Sequence, residues 1–283
     1  MFSIVIPTLN NFNYLKICLE SLKKNSTFNN EILVHVNQAN DEKDKTIEYL
    51  KKNKIRHTFS QKNFGMCTSV NLLSKLTIYD HILYSHDDMY FLPNWDLALK
   101  NELSKLSSNF FFLSGTLIGP GEYINFNCGD TYEDFNEKKL LENYKNLNFH
   151  DFQGTHFAPH LIHKELWNKV AGFSEEFNPG FGSDPDLNLK LWNEGVRYFK
   201  GCNNFKVYHF GSISMRKNKK LITNNGHKIF LKKWGMTIKF FKKFYLKTGT
   251  KFNGPLKNPK INLIFILELF RCKIKLLWTI FQK

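Results

Sequence analysis

Apolar residues in this chain fall into short continuous runs, separated by stretches in which they recur every three or four positions. The first run, Phe2-Ser3-Ile4-Val5-Ile6, stops at Pro7 and predicts a buried strand. Residues 14–22 follow with Leu15, Cys18, Leu19 and Leu22 at helical spacing. Further along, 31–36 predicts a second strand, 41–52 a surface helix carrying Ile47 and Leu50, and 55–59 a third strand. Residues 69–76 then predict a helix and 82–85 a fourth strand. Strands alternating with helices imply an α/β fold with a mostly parallel central sheet covered on both faces. Ligands of such sheets bind beyond the carboxyl ends of the strands, where the chain order switches. That rule gathers Pro7, Thr8, Asn37, Asn63, Asp87 and Asp88 at one rim.

From about residue 109 the rhythm changes. Phe110-Phe111-Phe112-Leu113 predicts a strand, 115–127 is rich in Gly and turn residues, and 132–145 reads as a polar helix. Residues 167–172 predict a helix ending at Gly172, 187–192 another helix, and 206–210 a strand. No internal repeat or low-complexity linker separates the halves, so they are expected to be subdomains of one fold. At the far end, 261–283 can form an amphipathic helix. Glu268, Arg271, Lys275 and Gln282 would share one face, and Leu, Ile, Phe and Trp278 most of the rest.

Composition narrows the class. A chain of 283 residues with 42% hydrophobic content and 28 Phe can bury a sizeable core and is not disordered. The five cysteines are scattered, odd in number and without CxxC spacing, which favours neither a disulfide framework nor a zinc site and suggests a reducing, cytoplasmic setting. Met1 leads directly into the first strand, so no secretion signal is expected, and no apolar stretch reaches the roughly 20 residues of a spanning helix.

The net charge of +15 is unevenly spread: the chain is near −4 before Lys200 and near +19 from there on, where Glu268 is the one acid. A tail of that kind suits an anionic surface, for which a phospholipid head-group layer is the expectation and nucleic acid is not. Solvated lysines of a Lys-rich sequence explain the abundance of Lys, but less well the near absence of acids.

The most informative chemistry is His86-Asp87-Asp88, directly after the apolar segment ending at Ser85. Alone, an Asp-Asp pair is an ordinary polar turn. Side chains alternate along a strand, so adjacent carboxylates at its exit can also serve different partners, such as a divalent metal and a sugar hydroxyl. Around it stand Ser3-Ile4-Val5-Ile6-Pro7-Thr8-Leu9-Asn10, Asn63-Phe64-Gly65 with Asn71, Gly172-Phe173-Ser174-Glu175, Asp184-Pro185-Asp186-Leu187 and Tyr208-His209-Phe210-Gly211-Ser212. Each motif is weak, but in this order over about residues 2–215 they resemble a family 2 type glycosyltransferase of the GT-A, nucleotide-diphospho-sugar transferase fold. Lys233-Trp234-Gly235 and Asn253-Gly254-Pro255-Leu256 are similar, more loosely, to extensions of bacterial members.

The resemblance implies roles. Asp88 and His209 would hold a divalent metal (Mn or Mg), which neutralises the diphosphate leaving group. Asp87 would lie near the ribose or the metal's waters. His86 stands where many relatives carry the first acid of an Asp-X-Asp motif. Asp184 would be the general base for the acceptor hydroxyl, with Asp186 as alternative base or orienter. Ser183 stands where an acid is often found. Read by itself, Asp184 before Pro185 has a lesser alternative as an N-cap. Pro7, Thr8 and Asn10 would wrap the nucleotide base, and Asn37 replaces an Asp that contacts uracil or ribose. Lys62 beside Asn63 can reach a phosphate, and Gly65 permits close backbone approach. Gly154-Thr155-His156-Phe157 would line the acceptor side.

The expectation is therefore a metal-dependent, inverting glycosyltransferase of hexosyl type in polysaccharide biosynthesis. It would take a UDP-type nucleotide-diphosphate sugar and a glycan or lipid-linked acceptor at the inner membrane face. Residues 1–215 would form the GT-A domain (1–108 donor half, 109–215 acceptor and catalytic half), and 216–283 a basic, aromatic-rich, mainly helical extension with peripheral membrane contact. Two rival readings are a catalytically silent glycan- or polyanion-binding protein, suggested by His86, Ser183 and the tail, and a nucleotidyltransferase. The second is disfavoured because Pro7-Thr8-Leu9-Asn10-Asn11 lacks a Gly-rich basic phosphate loop.

Overall fold

The first apolar run becomes β1 (Ser3–Thr8), a central strand of the sheet whose apolar side chains are buried on both faces. The structure, a computed structural model, describes residues 1–40, 43–211 and 226–281. Ser212, Asp41 and Gln282, used in the reading above, lie outside them. β1 pairs in parallel with β2 (Glu31–Asn37) on one side and β4 (His81–Tyr84) on the other, and β2 pairs in parallel with β3 (Arg56–Ser60). The crossovers are α1 (Phe12–Lys24), α2 (Lys45–Lys52) and α3 (Gly65–Ser74). Helix α1 buries Leu15, Cys18, Leu19 and Leu22 as its spacing requires. Helix α2 starts at the N-cap Asp44, whose carboxylate accepts from the Thr46 amide at 2.8 Å.

The second half interleaves with the first. Next to β4 lies the antiparallel β8 (His160–His163), then β6 (Phe111–Ile118), β9 (Tyr198–His209) and β5 (Met89–Phe91), and β7 (Phe152–Gln153) pairs with β9 off this path. β1, β2, β3, β4, β6 and β9 share one direction and β5, β7 and β8 oppose it, which makes the sheet mostly parallel. Helices α4 (Trp95–Leu103), α5 (Glu137–Asn143), α6 (Lys164–Lys169) and α7 (Ser183–Asn193) fill the connections.

Several boundaries moved from their sequence-based positions. Residues 115–118, expected as turns, continue the fully buried β6, because a bulge in the pairing with β9 beside Gly115 asks for small residues there. The polar helix of 132–145 shrinks to α5, which begins where the Asn136 side chain accepts from the Lys139 amide. Helix α6 starts three residues before the expected 167, and Ala171 and Gly172, both at positive φ, form its exit. Strand β9 starts eight residues before the expected 206, because Gly201, Asn203 and Asn204 hide its apolar pattern.

The basic segment is not a detached appendage. Phe230 of α8 (Gly226–Trp234), Phe241 of α9 (Ile238–Phe241), Leu246 and Leu256 are buried in the same hydrophobic core as the sheet. Only α10 (Leu263–Phe281) stands off. It packs through Phe265, Cys272 and Thr279, one stripe at heptad spacing, with Phe265 against the rings of Phe240 and Phe244. Leu263, Ile264, Ile266, Leu267, Phe270 and Trp278 on its other sides are exposed. No helix among the described residues is long and apolar enough to cross a membrane.

Candidate active site

Register decides where the acids go. Val5 pairs with Tyr84, so β4 ends three residues before β1 does, and the chain leaving β4 crosses over the carboxyl end of β1. The Ser85 amide donates to the Val5 carbonyl at 3.1 Å, which starts that crossing. Asp87 then meets the exit of β1: Thr8 Oγ1 donates to Asp87 Oδ2 at 2.6 Å and Asn11 Nδ2 to Oδ1 at 3.3 Å. Burial and the neighbouring Asp88 charge raise the Asp87 pKa to about 7, against the lowering effect of those two donors.

A cavity of about 480 Å³ opens at this rim, a size suited to a small organic ligand. Pro7, Thr8, Asn37, Asn63, Gly65, His86, Asp87 and Asp88 line it from the first half, and Asp184, His156, Phe157, Phe181, His227 and Lys242 from the second. The acids near 88 and 184, almost a hundred residues apart in sequence, thus face one space. His209 does not line it but stands behind Asp88, with Nε2 3.6 Å from Asp88 Oδ1. His86 Nδ1 lies 3.9 Å from the same oxygen. One ligand atom from each of His86, Asp88 and His209 falls within 4.8 Å of the others, so the three can surround one cation.

Asp184 and Asp186 have opposite surroundings. Helix α7 begins at Ser183 with Gly182 as N-cap, in the left-handed region at φ 91°, so Asp184 is inside the first turn and is not the cap. Its Oδ1 is buried without a hydrogen-bond partner, and desolvation raises its pKa to about 7. Asp186, two residues on, is fully buried and held by the Ser174 hydroxyl at 2.6 Å, Trp234 Nε1 at 2.8 Å and Lys233 Nζ at 2.9 Å. It does not line the cavity; it anchors α8 to α7.

The remaining candidates separate in the same way. Asn37 is buried and knits the rim together: its carbonyl oxygen accepts from the Phe64 amide at 2.9 Å and its amide donates to Ser69 Oγ at 3.0 Å. With Thr8 it also walls a smaller cavity of about 180 Å³, shared with Asn10, Asp44 and Lys45. Lys62 is exposed and lines neither cavity. Gly65 sits at φ 79°, and a side chain there would collide with the Asn178 carboxamide. That amide accepts from the Cys67 amide at 2.9 Å and donates to Thr68 Oγ1 at 2.8 Å, so the glycine makes room for a loop that closes on α3. Sequence reasoning did not find Tyr84, Glu122, His227 or Lys242. Tyr84 read as core, and the others carry no local pattern that separates them from surface residues.

This order of strands, with acids at the carboxyl rim, is the GT-A fold. The model of glycosyl transferase family 2 matches residues 3–165, more than half of the chain. The chain belongs to that family. Similar solved structures include S. aureus TarS 1-349 in complex with UDP, at TM-score 0.53 and 15% identity over 73% of this chain and 59% of that one. GalNAc-T7 with UDP, GalNAc and Mn2+ is similar at TM-score 0.57 and 16% identity over 74% of this chain and 43% of that one. S. aureus TarS 1-349 alone aligns over 99% of this chain and 71% of that one, at TM-score 0.56 and 13% identity. This chain spans about three fifths of the UDP-bound TarS chain, and at these identities the likeness concerns the fold. No curated protein sequence matches the chain.

Proposed function

We propose that this protein is a metal-dependent, inverting glycosyltransferase that moves a hexosyl-type sugar from a UDP-type nucleotide-diphosphate sugar to a hydroxyl of a glycan or lipid-linked acceptor. The observation that carries the reading is the partnerless, buried Asp184 Oδ1 in the same cavity as Asp88. A carboxylate whose pKa is lifted to about 7 in a cavity is matched to removing a proton at neutral pH.

In this reading the donor lies along the rim of β1 and β2, with its nucleoside end toward the smaller cavity walled by Thr8, Asn10 and Asn37. Asp87, fixed by Thr8 and Asn11, accepts from a ribose hydroxyl. Asp88 and His209 are the residues that would hold a divalent metal, Mn or Mg, and their donor set fits one. Bound there, such an ion supplies charge neutralisation for the departing diphosphate. Asp184 takes the proton of the acceptor hydroxyl, which attacks the anomeric carbon on the face opposite the leaving group. One displacement inverts the anomeric centre without a covalent intermediate. His156, Phe157, Phe181, His227 and Lys242 form the wall left for the acceptor. Residues 1–108 act as the donor half, 109–215 as the acceptor and catalytic half, and 216–283 as the extension that orients the protein.

The extension also supports a place of action at the cytoplasmic face of a membrane, in polysaccharide biosynthesis. Helix α10 exposes Trp278, Phe270, Leu263, Leu267, Leu277 and its isoleucines beside a strongly cationic stretch of chain. Flotation with vesicles containing anionic lipid tests this: full-length protein should rise with them, and equal flotation of a chain ending before residue 261 would remove the membrane contact.

Turnover is tested by UDP release from UDP-sugars with Mn2+ or Mg2+. The wild type should release UDP with at least one donor, and Asp184→Asn should not. If neither protein turns over any donor while both bind polyanions tightly, a silent binding protein is the better description.

A further inference from the structure

The reading above needs Asp88 and His209 as ligands, but the chain also carries an acid behind His209 and a second imidazole beside Asp88. His209 Nδ1 lies 2.6 Å from Glu122 Oε1. A carboxylate at that distance fixes the proton on Nδ1, so that the neutral ring turns the lone pair of Nε2 toward Asp88. Glu122 reaches this position because the chain leaving β6 turns tightly: Gly119 is at φ 152°, its amide donates to the Ile124 carbonyl at 3.1 Å, and Ile124 donates to Leu117 at 3.1 Å. The Gly-rich stretch after 115 thus delivers a single acid to the back of an imidazole.

His86 completes the group from the cavity side. Its ring packs edge-on against Tyr84 at 5.5 Å and lies 6.1 Å from the ring of His209. The separations of 3.6 and 3.9 Å between Asp88 Oδ1 and the two imidazoles are too long for hydrogen bonds. Two adjacent ligands that each stand roughly 2.1 Å from a shared ion are about 3.0–3.4 Å apart, so the three side chains would close by a few tenths of an ångström on an ion held between them.

We propose that His86, His209 and Asp88 form a two-imidazole, one-carboxylate site selective for a first-row transition-metal ion, Co2+ above Mn2+, over Mg2+, with Glu122 as the positioning residue for His209. Imidazole nitrogens favour borderline first-row ions, whereas Mg2+ prefers oxygen and keeps its waters. Replacing the first acid of an Asp-X-Asp pattern by His86 therefore changes which ion the rim accepts. The inference deepens the transferase reading and rests on it for the purpose of the ion, but its measurement does not depend on turnover.

The experiment is metal titration of chelator-treated, full-length protein by calorimetry, with Mn2+, Co2+ or Mg2+ alone. Pulsed electron spin resonance of the Mn2+ form then counts coordinated imidazole nitrogens. Wild type should bind Mn2+ and Co2+ at least about tenfold more tightly than Mg2+ and show two imidazoles. His86→Ala and His86→Gln should each lose about tenfold or more in Mn2+ affinity and show one imidazole, and H86D should narrow the preference over Mg2+. Glu122→Ala should lose about tenfold with both imidazoles still coordinated, and Glu122→Gln, which keeps an acceptor, should lose less. Equal affinity of wild type for Mg2+ and Mn2+, or two imidazoles in both His86→Ala and His86→Gln, overturns the site. Unchanged affinity in Glu122→Ala overturns the positioning role. A selective two-imidazole site in a protein that releases UDP from no donor would sink the transferase reading and leave the metal site standing.

Discussion

Two aspartates at the two ends of the sheet, one wholly buried and one with a buried oxygen, face opposite fates. Asp96, away from the cavity at the start of α4, is fully buried and receives the Ser26 hydroxyl at 2.6 Å, the Thr27 and Phe28 amides at 2.9 and 2.8 Å, and the Asn30 amide at 2.8 Å. Burial alone would raise its pKa, but these donors outweigh it and hold the carboxyl below its usual value. Asp184, at the cavity, has one oxygen cut off from both water and protein, and burial lifts it to about 7. The same side chain is a structural clamp where donors surround it, and at Asp184 they are withheld from one oxygen. The difference teaches that function in this fold lies in what the protein leaves unsatisfied.

That contrast can be broken most severely at Asp184. Asp184→Asn should lower the rate of sugar transfer by about 100- to 10,000-fold, with the far-ultraviolet circular dichroism unchanged. A variant retaining wild-type rate would end the base assignment.

Asp96→Ala is the mirror experiment. It strands several buried donors and should lower unfolding free energy by about 2–4 kcal/mol in urea titration, with turnover per folded molecule unaltered. Asp186 sits between the two cases. Asp186→Asn should cost about 1–3 kcal/mol by loosening Lys233 and Trp234, while reducing turnover far less than Asp184→Asn. Comparable losses of rate in the two variants would mean that the roles of 184 and 186 have been exchanged.

The smallest effect is on pH dependence, and its sign differs between the two aspartates. Asp96 has a lowered folded pKa, so the stability it contributes is present above the unfolded value near 3.9 and is lost as pH falls through the folded one. Asp184 has a raised folded pKa, so the folded state holds its proton more tightly, and stability is lost as pH rises from about 4 through about 7. Asp184→Asn should therefore be more stable than wild type above pH 7 and equal to it near pH 4. Wild-type kcat/KM should climb through about pH 7 to a plateau. Thermal melts across pH 4–8 and a pH–rate profile check both.

Much of the first half was legible because its inner strands are buried. Phe2 to Ile6, broken only by Ser3, and Ile82 to Tyr84 are apolar runs, as parallel inner strands have to be. The second half was harder to read. Gly201, Asn203 and Asn204 interrupt the apolar pattern of β9, so only its last residues announced a strand. The sequence offers Asp184 as the base and Asp186 as alternative base or orienter, without showing how their surroundings differ. Their difference is made by Trp234 and Lys233, about fifty residues downstream, which reach one carboxylate and not the other.

The chain by itself determined the alternation of strands and helices, the exit of His86-Asp87-Asp88 beyond a strand, and the cationic bias of its last third, because periodicity, apolar runs and charge are local properties. Only the tertiary structure decided which acids share a cavity, that Asp184 Oδ1 is left without a donor, and that Glu122 stands behind His209. Desolvation and hydrogen-bond satisfaction depend on groups far apart along the polypeptide, and no local pattern encodes them.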